Sequence, residues 1–289
     1  MLERIGYIGV GLMGGPMARR LAERGYAVRA HDIVPSRRAA AAAAGATEAD
    51  SPADAARDAD IVALNLPTTQ AVEAAVFGPR GAAEAMRPPA VLVDFSTIEV
   101  ERCRDFAARL YAATGCTWND APVSGGPVAS ADGTLTVMAG GEASDIARLQ
   151  SFFGAIAANF THVGRTGDGL VAKMISQHIV GCLHTVLAEA VRLAELSGMD
   201  ATMIPAAVAG GHADGVLLRQ LYPRLVARDF QPRAYARQLV KDMHMVEALA
   251  GGVGLPTPML RQSCAMYEAL LERGGAEMDV SAVVTMYET

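Results

Sequence analysis

Short apolar runs alternate with amphipathic helical stretches through the first half of the chain. The first run extends from Arg4 to Val10 and precedes a helical stretch from Pro16 to Arg24. Strands that are separated by helical segments predict right-handed crossovers and a mostly parallel, doubly wound sheet. Further strands are predicted at Ala27 to Asp32, Ile61 to Leu66, Val91 to Phe95, Thr117 to Asp120 and Thr134 to Ala139.

The pattern changes to helical periodicity after about Gly169. Apolar residues at helical spacing extend from Leu170 to Leu193, and Ser197-Gly198 ends the pattern. Together they predict a helix of about 27 residues. Because this helix is long and apolar on more than one side, we expect it to bridge two domains and to take part in subunit contact. The rest of the chain predicts an all-α domain, with helices broken at Gly210-Gly211, Pro223, Pro232, Gly251-Gly252 and Pro256-Thr-Pro258.

Composition excludes several classes of protein. Of the 289 residues, 51% are hydrophobic and 19% are charged, which excludes a disordered, collagen-like or coiled-coil chain. The net charge of −6, with no basic run, argues against nucleic acid as a partner. The sequence shows neither a signal peptide nor an apolar stretch that could span a membrane, so we expect a cytoplasmic protein.

The four cysteines lie in no C-x-x-C pair and have no zinc-like spacing. We therefore predict buried thiols in a reducing cytoplasm and no metal site.

A glycine-rich segment, Gly9-Val-Gly11-Leu12-Met13-Gly14, lies between the first strand and the first helix. In this context, successive glycines permit a tight turn, a close approach to a pyrophosphate and close packing of helix on strand. The helix N-terminus supplies N–H groups to the phosphates. The alternative is a glycine-rich turn without a ligand. We predict a dinucleotide-binding domain over residues 1–165 and a helical substrate and oligomerisation domain over residues 166–289.

Asp32 ends the second predicted strand, about 20 residues beyond the glycine segment, where a carboxylate can accept hydrogen bonds from the adenosine ribose. Its charge would repel a 2′-phosphate, so we predict NAD in preference to NADP. Alternatively, Asp32 only caps a strand or helix, and Arg37 and Arg38 bind a 2′-phosphate or are merely solvated.

A second glycine turn follows a predicted strand at Asp120-Ala-Pro-Val-Ser124-Gly125-Gly126. A hydroxyl followed by two glycines forms a set of backbone N–H groups suited to a carboxylate, although an ordinary Pro/Gly turn has the same composition. Lys173 begins the long helix one turn before Gln177, so the ammonium and amide groups would share a face. A lysine in a cleft can exchange a proton with a substrate hydroxyl, whereas a lysine on an exposed helix face is simply solvated.

Taken together, several segments resemble the 3-hydroxyisobutyrate dehydrogenase-related family of β-hydroxyacid dehydrogenases. The resemblance extends over essentially the whole chain and includes Gly9 to Ala18, Leu66-Pro67, Asp94-Phe-Ser-Thr97, Asp120 to Gly126, Gly169-x-x-x-Lys173 and Lys241-Asp242. It implies a Rossmann domain, a long interdomain helix, and a helical domain that mediates homodimers or homotetramers.

The resemblance also implies roles for individual residues. Ser124, Gly125 and Gly126 would hold the substrate carboxylate, and Lys173 would transfer the proton. The residues implied along the cofactor cleft are Leu66, Pro67, Thr97 and Lys241.

One position departs from the family's usual pattern. The family commonly has Lys-x-x-Asn-Asn, whereas this chain has Lys173-Met-Ile-Ser176-Gln177. A glutamine here is similar to the L-threonate dehydrogenase-like branch, which acts on more hydroxylated acids. Asp242 is interpreted as the partner of a neighbouring cation.

The predicted function is hydride transfer between NAD and the C3 carbon of a short 3-hydroxy acid, with Lys173 as general acid and base. One alternative is an NADPH-dependent reductase of the tartronate or succinic semialdehyde type. Another is a catalytically silent dinucleotide-binding protein.

Overall fold

The computed structural model describes residues 2–288 and contains two compact units, Met1–Lys173 and Met174–Thr289. The domain boundary predicted from the sequence, between residues 165 and 166, would assign the whole long helix to the second domain. This boundary stays a prediction. Within the described residues, no helix is both long and apolar enough to cross a bilayer.

A predominantly parallel sheet forms the centre of the first unit. Its strands lie in the order β3-β2-β1-β4-β5-β6-β8-β7, and β9 pairs with β8. Among the described residues, the β6–β8 and β7–β8 strand pairs are antiparallel and the other strand pairs are parallel. The strands are β1 (Arg4–Ile8), β2 (Ala27–His31), β3 (Thr47–Glu48), β4 (Ile61–Leu64), β5 (Val91–Asp94), β6 (Thr117–Asp120), β7 (Val123–Ser124), β8 (Leu135–Gly140) and β9 (Ala157–Gly164).

Helices connect these strands, and local sequence explains several of their ends. Pro35 begins α2, and the hydroxyl of Thr68 accepts the N–H of Ala71 at the start of α4. Gly115 ends α5 in a left-handed conformation that glycine adopts without strain. The helices of this unit are α1 (Gly14–Glu23), α2 (Pro35–Ala43), α3 (Pro52–Ala56), α4 (Thr69–Phe77), α5 (Val100–Thr114), α6 (Gly126–Asp132), α7 (Ala143–Arg148) and α8 (Gln150–Ile156).

The central strands are apolar on both faces because helices cover both sides of the sheet. All four residues of β4 and all four of β5 are buried. The register aligns Ile8 with both His31 and Leu64, and Leu64 with Asp94. The carboxyl ends of β1, β2, β4 and β5 therefore lie along one edge of the sheet, where ligands bind in folds of this type.

The α/β fold class with a helical second domain is confirmed, and three strands were not predicted. β3 and β7 have two residues each, too few for a periodic signal. β9 lies at the far side of β8 and is mostly exposed, so its sequence lacks the apolar alternation that marks a half-buried strand.

The long helix α9 (Asp168–Leu196) has 29 residues and continues from the first unit into the second. It is followed by α10 (Ile204–Ala207), α11 (Val216–Ala227), α12 (Ala236–Gly252) and α13 (Pro258–Glu272), with 3₁₀ turns at Ala201–Met203, Gly275–Glu277 and Val280–Tyr287. The expectation that Pro223 breaks a helix is wrong, because α11 continues through it. The expectation of four buried thiols is corrected for Cys182, which is half-buried.

Asp279 organises the end of the second unit. Its carboxylate is completely buried and accepts the N–H groups of Arg233, Ala234 and Ser281, at 2.6, 3.0 and 3.0 Å. The Arg224 guanidinium lies 3.0 Å from Oδ1, the oxygen that also accepts the N–H of Ser281. This single side chain therefore ties three segments of the helical unit together.

Candidate active site

The glycine segment forms the turn between β1 and α1. Gly9 has a φ of +93°, and a Cβ atom there would lie 2.3 Å from the carbonyl oxygen of Asn65. A Cβ at Gly14 would lie 2.0 Å from the carbonyl oxygen of Gly9. At Gly11, by contrast, the nearest atom would be Nη1 of Arg37 at 3.6 Å. The first and third glycines are thus required by packing, while the second leaves the backbone accessible.

This geometry fits the pyrophosphate of a dinucleotide. The open backbone at Gly11 is followed by Leu12, which is exposed, and by Met13, which is half-buried and lies at the start of α1. A helix N-terminus beside uncovered backbone N–H groups is a favourable environment for phosphate oxygens.

Asp32 lies at the end of β2, beside the glycine turn. Its two carboxylate oxygens accept the N–H groups of Val10 and Val34, at 3.1 and 2.9 Å. The Arg37 guanidinium lies 3.6 Å from the carboxylate. Asp32 therefore has the position expected of a ribose ligand, but it also holds the turn in shape and has a cation next to it.

The ends of β4 and β5 form the neighbouring part of the cleft. The N–H of Leu66 donates to the hydroxyl of Ser96 at 2.8 Å, and the N–H of Ser96 donates to Asp94 at 2.9 Å. Pro67 is exposed and Thr97 is half-buried. Ser96 and Asp94 had no predicted role. Their hydrogen bonds fix the backbone at Leu66 and at Ser96, immediately before Pro67 and Thr97.

The second glycine turn follows β7. Gly125 and Gly126 have φ angles of +129° and +72°, and a Cβ at Gly126 would meet nothing within 4 Å. Ser124 is half-buried. The hydroxyl of Ser130, in the helix that follows, donates to the carbonyl of Met13 at 2.8 Å. The Ser124–Gly126 turn is therefore accessible, and its helix is attached to the glycine turn of the cofactor site.

Lys173 lies beside this second turn. Its side chain is buried, and Nζ donates to the carbonyl oxygen of Val123 at 2.9 Å. Val123 immediately precedes Ser124, so the structure brings together the predicted proton-transfer residue and the predicted carboxylate site. The alternative of a solvated lysine on an exposed helix face is excluded by this burial.

Asp120 determines where α9 begins. Its completely buried carboxylate accepts the N–H groups of Gly167 and Leu170, at 2.7 and 2.8 Å. Added Cβ atoms at Gly140 and Gly169 would lie 2.6 and 2.8 Å from its oxygens. Burial raises the pKa of Asp120 to about 6, against the opposing effect of its two N–H donors.

Leu170, whose N–H donates to Asp120, lies one turn before Lys173 on α9, so Asp120 is attached to the helix turn that precedes the lysine. The sequence signals of Asp120 were a charged residue at the end of a predicted strand and its place at the start of the Asp120 to Gly126 segment, and neither indicates a contact with α9.

The second unit contains the other two predicted residues, Gln177 and Lys241. Nε2 of Gln177 donates to Asp242 at 2.7 Å, and Nζ of Lys241 lies 3.1 Å from the other oxygen of Asp242. Asp242 therefore pairs with a neighbouring cation, as interpreted from the sequence. Because a carboxylate only accepts hydrogen bonds, it also fixes which end of the Gln177 amide faces it.

A Rossmann-type sheet, a glycine turn open to a pyrophosphate, and a buried lysine beside a second open turn define a class, the dinucleotide-dependent oxidoreductases. Family models agree with this class along the chain. Residues 4–164 match the NAD binding domain of 6-phosphogluconate dehydrogenase, and residues 167–287 match the NAD-binding domain of NADP-dependent 3-hydroxyisobutyrate dehydrogenase.

Individual relatives are similar over their full length. The chain is 32% identical to an NAD-dependent L-serine dehydrogenase of Pseudomonas aeruginosa, over 99% of this chain and 98% of that protein. It is 30% identical to 2-hydroxy-3-oxopropionate reductase of Escherichia coli, over 99% and 97%. The structure of Mycobacterium tuberculosis 3-hydroxyisobutyrate dehydrogenase with L-serine superposes with a TM-score of 0.89, at 28% identity and complete coverage of both chains.

The protein belongs to the 3-hydroxyisobutyrate dehydrogenase-related family of β-hydroxyacid dehydrogenases, and it is an NAD-binding oxidoreductase.

Proposed function

We propose that the protein oxidises the C3 hydroxyl of a short 3-hydroxy acid with NAD, and that Lys173 moves the hydroxyl proton. The observation that supports this most strongly is the 2.9 Å hydrogen bond from Nζ of Lys173 to the carbonyl of Val123. The amine therefore lies next to Ser124 and the Gly125-Gly126 pair, so a carboxylate at that turn would have its C3 hydroxyl near Nζ.

Two groups of this chain act on the substrate in that arrangement. The hydroxyl of Ser124 and the backbone N–H groups of Gly125 and Gly126 bind the carboxylate, which fixes the distance of C3 from the turn. NAD, when bound, supplies the hydride acceptor. Neutral Lys173 accepts the C3 hydroxyl proton as the carbinol is oxidised to a carbonyl, and its ammonium returns that proton in the reverse direction.

The test is a panel of short 3-hydroxy acids, including L-serine and 3-hydroxyisobutyrate, assayed for NADH formation. Each acid is paired with its carboxamide, which keeps the C3 hydroxyl and loses the anion. We expect turnover of at least one acid and a kcat/KM at least tenfold lower for its amide. Equal use of acid and amide would contradict a carboxylate site at Ser124, and a panel without any turnover would contradict the proposed substrate class.

The second candidate is reduction of a semialdehyde with NADPH, and it is favoured by Arg37. Nη1 of this arginine lies nearest to Gly11 and close to Asp32, where a 2′-phosphate would be. We nevertheless expect NAD to be preferred, because Asp32 is buried and anionic at the same place.

Comparing kcat/KM for the two cofactors in the wild type, Asp32→Ser and Arg37→Ala separates these candidates. The NAD proposal requires a wild-type preference for NAD that shrinks in Asp32→Ser. A wild-type preference for NADP that Arg37→Ala abolishes would favour the reductase instead.

We also propose that the chain forms a homodimer or homotetramer through α9. Ile179, Val186 and Leu193 are 55%, 52% and 69% exposed and recur every seven residues, with Leu183 between them. A heptad stripe of exposed apolar side chains pairs favourably with a second copy of itself. Light scattering should give a smaller assembly for Val186→Glu than for the control Ala206→Glu, which changes an exposed residue of α10. A monomeric wild type would contradict this proposal.

We propose a cytoplasmic location as well, which the four free cysteines support, since free thiols persist in a reducing compartment. Fluorescence of a tagged chain in cells, compared with a cytoplasmic marker, tests this.

A further inference from the structure

Two antiparallel neighbours of the helical unit, α12 and α13, place three chemically different ligand groups together. His244 belongs to α12, and Cys264 and Glu268 belong to α13. Cys264 and Glu268 are four residues apart, so they share a helix face. One nitrogen, sulfur or oxygen atom from each of the three residues lies within 4.8 Å of the others.

The donor set favours a borderline divalent cation. Imidazole nitrogen, thiolate sulfur and carboxylate oxygen are the ligands that zinc uses, whereas calcium and magnesium bind oxygen alone. Three protein ligands leave a fourth position for water. Tetrahedral zinc needs ligand atoms about 3–4 Å apart, and rotation of the half-exposed His244 and Glu268 side chains closes the remaining gap.

One of the three side chains is buried and the other two are accessible, so an ion from solvent can reach them. Cys264 is 3% exposed, and the side chains of His244 and Glu268 are 51% and 47% exposed. Nε2 of His244 lies 2.6 Å from a carboxylate oxygen of Glu268, and one ligand atom of each of these residues lies within 4.8 Å of the thiol sulfur. An exposed pair of this kind alone contributes little to stability, and it does not account for the buried thiol beside it.

The charges around the thiol act against a free thiolate. Burial, together with Glu268 and Glu247, raises the pKa of Cys264 to about 12, so the sulfur is protonated at neutral pH. A dication reverses this effect, because the same carboxylates that disfavour a thiolate attract the metal.

We propose that His244, Cys264 and Glu268 bind one Zn²⁺ ion that links α12 to α13. On binding, the Cys264 thiol releases one proton to solvent as its sulfur bonds to zinc. The Nε2 proton of the neutral His244 imidazole moves to Nδ1, so Nε2 and the Glu268 carboxylate each exchange their mutual hydrogen bond for a bond to the metal. His244 follows Lys241 by one turn on α12, so the ion also stabilises the helix that contains Lys241 and Asp242.

The test uses the full-length, untagged protein and Co²⁺ as a spectroscopic substitute for zinc. Co²⁺ should bind with a stoichiometry of one per chain and give a thiolate-to-metal charge-transfer band that Zn²⁺ abolishes. Calorimetry with Zn²⁺ in buffers of different ionisation enthalpy should show the release of about one proton. Zinc should raise the melting temperature in proportion to the logarithm of its concentration.

Matched variants decide whether these residues form the site. Cys264→Ser should lose the charge-transfer band and weaken zinc binding at least tenfold, while Cys182→Ser, which changes a half-buried thiol of α9, should keep both. His244→Gln and Glu268→Gln change half-exposed side chains and should weaken binding even if Cys264→Ser does not fold. The absence of a charge-transfer band, or zinc affinity unchanged in His244→Gln and Glu268→Gln, would overturn the proposal.

Discussion

Completely buried aspartates that accept backbone N–H groups occur in both units, and two of them, Asp120 in the first unit and Asp279 in the second, differ in the direction of their pKa shift. Burial by itself would raise the pKa of both carboxyls. In Asp279, three N–H donors and the Arg224 guanidinium outweigh burial and hold the pKa below its usual value. In Asp120, the two N–H donors at the start of α9 do not outweigh burial. The nearby Asp168 adds repulsion between carboxylates, and the pKa of Asp120 rises to about 6.

We interpret this difference as separating a structural carboxylate from one that belongs to the candidate active site. Asp279 is fully compensated, as expected of a group that only holds segments together. Asp120 is under-compensated, and its hydrogen-bond partner Leu170 lies one helical turn before Lys173, the proposed proton-transfer residue. Clusters of buried, imperfectly compensated groups are typical of functional sites.

The largest expected effect is on stability and comes from Asp279→Asn. The substitution removes the completely buried one of the two carboxylates, Asp279 and Asp229, that pair with the Arg224 guanidinium, and it turns an amide N–H towards backbone donors. We expect the free energy of unfolding to fall by about 3–5 kcal/mol, with kcat of the folded enzyme within about twofold of the wild type. Urea denaturation followed by circular dichroism measures the first quantity, and steady-state kinetics at low temperature measures the second. A kcat loss as large as that of the Asp120 variant would end the distinction between the two aspartates.

Asp120→Asn should have the opposite profile. The amide can accept one of the two N–H groups at the start of α9, and it opposes the other. We expect kcat to fall about 10- to 100-fold because Lys173 is displaced, with a stability loss of only about 1–2 kcal/mol and an unchanged Kd for NAD. Cofactor fluorescence titration gives the Kd. If NAD affinity fell together with kcat, Asp120 would have a general structural role rather than position Lys173.

A smaller effect is expected for Gln177→Asn, which shortens the amide that Asp242 holds. The shift of one methylene should change the ratio of kcat/KM between two 3-hydroxy acids by about tenfold, with no change in folding. A substrate panel measures the ratio, and Asp242→Ala provides the comparison, since it removes the acceptor of the Gln177 amide without shortening Gln177. Constant ratios in both variants would remove Gln177 from the substrate site.

The smallest expected effect is a pair of opposite pH dependences of stability. A carboxyl whose pKa rises on folding stabilises the fold fully below its unfolded value, near 3.8, and that contribution is lost as the pH rises through about 6. A carboxyl whose pKa falls on folding, such as Asp279, contributes above about 3.8 and loses its contribution at lower pH.

Urea denaturation between pH 3 and pH 7 therefore separates the two. The free energy of unfolding of Asp120→Asn, measured relative to that of the wild type, should increase by at most about 1.4 kcal/mol per pH unit as the pH rises from 4 to 7. Asp279→Asn should approach the wild type only below pH 4. Parallel curves for the two variants would contradict the assigned shifts.

The sequence predicted those parts of the site whose residues are close along the chain. The Gly9–Gly14 turn, Asp32 and the pairing of Lys241 with Asp242 depend on neighbours in sequence or on spacing within one strand–helix unit. The role of Asp120 depends on N–H groups nearly fifty residues away. No periodicity encodes such a contact, so this role became visible only in the folded chain.

The same reason explains what else was not predicted. The Gln177–Asp242 hydrogen bond joins residues 65 positions apart, and the His244, Cys264 and Glu268 group combines two helices. Because the His244, Cys264 and Glu268 group contains a single cysteine, the spacing between cysteines along the chain could not indicate this group. The exposed strand β9 was missed because it lacks apolar alternation, which is the signal used for strands.

The most direct test of the central claim, that Lys173 transfers the substrate proton, is the single-turnover rate of NADH formation in Lys173→Ala at saturating NAD and substrate. We expect this rate to fall by about 10²-fold or more while the Kd for NAD stays within about twofold of the wild type, because only the proton-transfer step loses its partner. Partial recovery by an added small primary amine would further support the assignment. A single-turnover rate close to that of the wild type would contradict it.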